Sequence, residues 1–151
     1  IIVGYGLNGR NLARVLSETE IPHVALDLDG ETVRREARHG VPIYYGDGSN
    51  ANVLRHMKID DAKVLVVALS DPFTARRTVK VAKGLNSKLH IVVRTRYLRE
   101  LEELHQLGAD DVVPVDAIAS LPKRGTGFAR WLRPLLIFFQ SPSSACVTRF
   151  S

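Results

Sequence analysis

Ile1-Ile2-Val3-Gly4-Tyr5-Gly6-Leu7-Asn8-Gly9-Arg10 joins a β-type run to a helical one through three closely spaced glycines. Asn8 to Leu16 carries Leu12, Val15 and Leu16 at helical spacing. A strand that turns through Gly-x-Gly-x-x-Gly into a helix is a phosphate-binding arrangement. Gly4 permits the tight turn. Gly6 lets the backbone approach a phosphate with no Cβ in the way, and Gly9 lets the helix pack close to the strand. Free amides and the dipole at the helix start favour an anion. Asn8 and Arg10 add a neutral donor and a charge. The bland alternative is a glycine turn that holds nothing; the elements farther along argue against it.

Outward from this turn, β-type runs alternate with helical ones. Strands are predicted at 1–3, 23–26, 41–45, 64–68, 89–93 and 111–113. Helices are predicted at 8–16, 31–39, 52–57, 73–85 and 97–107. Continuous apolar character in the first, fourth and fifth strands fits burial on both faces. Strand–helix alternation with right-handed crossovers gives an α/β fold. The expected architecture is a Rossmann-like, doubly wound, parallel six-stranded sheet in the order 3-2-1-4-5-6, ending near Pro114.

In that order the ends of several strands converge on one crevice. Asp27 closes the second strand, where a carboxylate accepts both ribose hydroxyls and repels a 2′-phosphate. Asp29 competes for the role but suits an N-cap better, so Asp27 is favoured. Gly46-Asp47-Gly48-Ser49 follows the third strand. Asp47 there either accepts from an adenine amino group or, with Ser49, caps the next helix. Arg94 ends the fifth strand, with Arg96 close behind; it either binds phosphate bidentately or pairs with Glu100 or Asp111. Ser70-Asp71-Pro72 reads as a helix start with Pro in the first turn.

The composition is that of a globular chain: 151 residues, 45% apolar and 25% charged, with a single Cys. One Cys excludes a disulfide framework and a Cys-based zinc site. No apolar run reaches the length of a membrane span. The chain starts at Ile1 inside an apolar run and is taken for a segment of something longer. The net charge of +5 is unevenly spread: Ser120 to Ser151 holds five bases and no acid, and the rest is neutral. A nucleic-acid partner would want a basic face on the folded part, so none is expected. Gly125-Thr126-Gly127 is a possible linker, and 128–139 a helix broken at Pro134. The five His lie on or near helices, or at the wrong strand end, without a catalytic companion. No substrate domain or metal-ligand spacing is evident, so no catalytic or metal residues are assigned.

Several motifs in order carry a resemblance. They are Gly4 to Arg10, Leu26-Asp27-Leu28-Asp29, Gly46 to Ser49 and Ala68-Leu69-Ser70-Asp71-Pro72. Arg94-Thr95-Arg96 and Leu107-Gly108-Ala109-Asp110-Asp111-Val112-Val113-Pro114 complete the set. Together they resemble the TrkA-N, or RCK N-terminal, domain, and within it the Kef-type cation:proton antiporter branch. The resemblance covers residues 1–115 and implies a cytosolic, non-enzymatic domain, on the cytoplasmic face of the membrane, that regulates an attached potassium or cation transporter. It implies a homodimer that binds NAD(H) or AMP. The ligand would be held by Gly4, Tyr5, Gly6, Leu7, Asn8, Gly9, Arg10, Asp27, Leu28, Asp47, Gly48, Ser49, Ala68, Leu69 and Arg94. Phosphate falls to the turn and Arg94, ribose to Asp27, and the adenine side to Asp47. The basic 116–151 segment, aromatic in part, does not resemble the family. The alternatives are a fragment of an NAD-dependent oxidoreductase or of an S-adenosylmethionine-dependent enzyme, and an interaction module with a degenerate site.

Overall fold

Extended and helical segments alternate through residues 1–114, which the computed structural model describes. The strands are β1 (Ile2–Val3), β2 (Ala25–Asp27), β3 (Ile43–Tyr45), β4 (Val64–Val67), β5 (His90–Thr95) and β6 (Asp111–Pro114). The helices are α1 (Leu7–Glu18), α2 (Gly30–Arg38), α3 (Ala51–His56), α4 (Pro72–Leu85) and α5 (Leu101–Gln106). All six strands form one parallel sheet in the order β3-β2-β1-β4-β5-β6, the order expected. The order reverses between β1 and β4, and the crevice beyond their carboxyl ends is where such folds bind ligands.

Local chemistry starts most of the helices. Asp71 caps α4 by accepting from the Thr74 amide at 2.8 Å, with Pro72 in the first turn. Asp29 caps α2, accepting from the Glu31 amide at 3.0 Å, and Asn50 caps α3, accepting from the Asn52 amide at 2.9 Å. The helix cap, one of the two readings left open for Asp47 or Ser49, therefore belongs to Asn50. The helix predicted over 97–107 is not continuous: a 3-10 turn at Leu98–Glu100 precedes α5. Tyr97 is extended, and its amide donates to Thr95 Oγ1 at 3.2 Å, while that hydroxyl donates to Glu100 Oε2. These side-chain bonds hold the segment in a tight turn before α-helical geometry takes over.

Two apolar clusters sandwich the sheet. Leu65, Val67, Ile91 and Val93 pack with Leu54 of α3, Val79 of α4 and Leu104 of α5. Ile2, Ala25 and Ile43 pack with Ala13 and Leu16 of α1 and with Val33 of α2. Burial on both faces holds for β1 but not for all of β4 and β5. Val66 and Val92 are only half-buried, and Val64 is 37% exposed. Side chains alternate across a strand. Among the described residues, α1 and α2 cover their face mainly over β1–β3. The expected 116–151 segment, with its linker and broken helix, lies outside the described residues.

Candidate functional site

Val3 ends β1 and Gly4 takes φ +96°, a left-handed conformation natural to glycine. A Cβ on Gly4 would also sit 3.1 Å from the Ala68 carbonyl, so the turn rests directly on the loop after β4. Gly6 is the N-cap of α1 and faces open space, with no atom within 4 Å of a built Cβ. Gly9 is the opposite case: its Cβ would lie 1.9 Å from the Gly4 carbonyl oxygen. The open and the crowded glycine fit the roles read for them, phosphate approach and close helix–strand packing. The first intrahelical bond of the turn runs from the Arg10 amide to the Gly6 carbonyl at 2.9 Å. The amides of Leu7, Asn8 and Gly9, ahead of it, have no acceptor within the helix.

Asp27 reaches this turn from β2. One carboxylate oxygen accepts from the Tyr5 amide, and the other from the Asp29 amide at 2.7 Å. Each oxygen has a second lone pair, so two hydroxyl donors still find acceptors. Asp29 instead points along α2: it also accepts from Thr32 Oγ1 at 2.6 Å. That bond and the Glu31 amide hold its carboxyl below the usual carboxylate range. Leu28, between them, is exposed beside the crevice.

The loop after β3 is tied to Asp27 through the Gly46 amide, which donates to the Asp27 carbonyl at 3.0 Å. A Cβ on Gly48 would fall 2.3 Å from Val3 Cγ1, so the loop lies against the end of β1. Asp47 is half-buried and accepts from the Ser49 amide at 2.8 Å; Ser49 is buried. Leu69 lies against Gly4, 3.0 Å from its built Cβ.

Arg94 pairs with neither acid considered for it. Glu100 lies with Arg76 at 3.8 Å, and Asp111 with His90 at 2.7 Å. With the Asn8 amide oxygen turned toward it, Arg94 donates from Nε at 2.7 Å and from Nη2 at 3.3 Å. Arg10, by contrast, extends toward α2, with Nη2 3.9 Å from Glu36 Oε1. The structure thus gathers the glycine turn, Asp27, the Gly46–Ser49 loop, Ala68, Leu69 and Arg94 along one edge, while Arg10 lies toward a neighbouring helix. The Asn8–Arg94 bond and the packing of Gly48 on Val3 had no local signal, because each joins residues distant in sequence.

A glycine turn, an acidic strand end and a cationic strand end at a topological switch point define a nucleotide-binding domain of the doubly wound class. The chain belongs to the TrkA-N domain family, whose model matches residues 1–115. It is 32% identical over 114 residues to a protein named as the K(+) efflux antiporter KefB of Alkalimonas amylolytica. That match covers 76% of this chain, which spans only 17% of the relative's length. Among solved structures, the TrkA-N domain of the inner membrane protein ybaL from Escherichia coli is 25% identical with a TM-score of 0.74. It covers 89% of this chain and 93% of its own. The Kef CTD of Shewanella denitrificans in its AMP-bound form is 25% identical with a TM-score of 0.67, covering 92% and 89%.

Proposed function

We propose that residues 1–115 are a regulatory domain that binds an adenine nucleotide, AMP or NAD(H), and biases an associated potassium or cation transporter. The observation that carries this is the convergence of the Gly4–Gly9 turn, Asp27 and Arg94 at the switch point. The turn amides and Arg94 bind phosphate, Asp27 orients the ribose, and Asp47 with Leu28 and Leu69 flanks the base. The AMP-bound Kef relative and the antiporter relative support this choice of ligand and partner. The domain works at the cytoplasmic face of the membrane, as a homodimer whose two arrangements differ in affinity for the nucleotide. A ligand shifts such an equilibrium only by its differential affinity. Its role is regulatory, not catalytic.

The test is mass spectrometry of small molecules released on denaturing the purified chain. AMP, NAD or NADH is expected, and an S-adenosylmethionine signal would overturn the reading. If nothing is released, titration with adenine nucleotides decides: failure to bind any at millimolar concentration refutes it.

A further inference from the structure

Asn8, in the first turn of α1, and Arg94, near the end of β5, meet across the switch point. Arg94 turns Nε and Nη2 to the Asn8 oxygen, the two donors a guanidinium presents side-on to a phosphate. Among the described residues Arg94 enters no ion pair. Its side-chain partner is a neutral amide on an exposed residue. A cation at a strand end is thus held by an acceptor weaker than the anion that the adjoining glycine turn is built to receive.

We propose that Asn8 is a specificity-determining residue that competes with the ligand's phosphate for Arg94. The inference rests on the adenine-nucleotide reading of the crevice. A phosphate brings negative charge and two oxygens to the fork; Asn8 brings one neutral oxygen. Both partners meet the charge of Arg94, but only the phosphate adds an opposite charge and a second acceptor oxygen, so a 5′-phosphate displaces the amide. A nucleoside without phosphate offers no replacement and leaves the pair closed. The competition therefore weakens every ligand that engages Arg94 and leaves unaffected any ligand that does not. Asn8 sets the concentration at which the domain responds to phosphate. Occupancy is registered as the loss of a tie between α1 and β5.

Calorimetric titration of the full chain with AMP and with adenosine tests this. Asn8→Ala is expected to tighten AMP about tenfold, the lower end of the worth of a hydrogen bond to a charged group, and to leave adenosine unchanged. Arg94→Ala should weaken AMP about tenfold or more. In that background Asn8→Ala should no longer change AMP affinity. Arg94→Lys keeps the charge without the fork and serves if the alanine variant melts early. Weaker AMP binding by Asn8→Ala would mean that Asn8 donates to the ligand, and would overturn the proposal. So would an equal effect of Asn8→Ala with and without Arg94. An unmodified chain that binds AMP no better than adenosine also overturns it. If the unmodified chain binds neither of these nor NAD(H) in the same titration, the nucleotide reading itself falls, a result distinct from the others.

Discussion

Gly9→Ala is the substitution whose outcome the structure specifies most sharply. The new methyl would stand 1.9 Å from the Gly4 carbonyl oxygen, over 1 Å inside the 3.0 Å limit of real Cβ contacts. The obstacle is backbone, so no rotamer relieves it, and α1 must lift off the sheet. Overpacking of this kind costs ~1–3 kcal/mol, with the upper end expected against backbone. Alanine returns ~0.8–1 kcal/mol of helix propensity. The net loss is about 2 kcal/mol, which lowers the melting temperature of a domain this size by roughly 8 °C. Gly84→Ala is the internal control. Gly84 lies in α4, exposed, with no atom within 4 Å of a built Cβ. There only the propensity gain remains, so Tm should rise by about 4 °C. Thermal denaturation followed by circular dichroism reads both variants. If Gly9→Ala melts at or above the unmodified protein, the close packing of α1 on the turn is wrong.

Asp27→Asn should weaken AMP binding and remove the preference for AMP over 2′-deoxy-AMP, measured by calorimetry. A preference that survives would move the ribose contact to another residue. Asn86→Ala removes an amide that donates to the Ile59 carbonyl at 3.0 Å and the Ala62 carbonyl at 3.3 Å. Stranding these partly buried acceptors should cost ~1–3 kcal/mol in urea denaturation; no shift in midpoint would show that water replaces the amide. Burial raises the pKa of Asp110, but the Ile91 amide at 2.8 Å and Lys83 at 3.0 Å outweigh it, so its carboxyl sits below the usual range. A depressed carboxylate stabilises the fold above its unfolded pKa and loses that contribution as pH falls through the folded value. The stability gap between the unmodified chain and Asp110→Asn should therefore be full at neutral pH and close under acid. A gap independent of pH would contradict this.

Much of the fold was legible because its signals are local. Apolar runs ending in glycine or aspartate mark the strands, and the glycine turn after β1 carries its chemistry in its own spacing. Asp71-Pro72 announced α4 for the same reason: an N-cap acts within three residues. The break before α5 was less legible, because a helical pattern over 97–107 conceals Thr95 and Glu100 binding each other ahead of the helix. Of the two roles open to Asp47, the helix cap falls instead to Asn50, which stands closer to the helix it serves.

The sequence by itself determined the alternation of elements, the order of the sheet and the identity of the turn that faces the crevice. Periodicity and glycine spacing act over a few residues, and the handedness of crossovers then leaves little freedom in topology. Only the tertiary structure decided where the charges go. Arg94 has two acids near it in sequence or register, yet it turns to Asn8, while Arg10 turns from the glycine motif toward Glu36. Glu100 and Asp111 are engaged by Arg76 and His90. A long cationic side chain reaches any of several partners, and the packing of α1, α4 and the strand ends selects one.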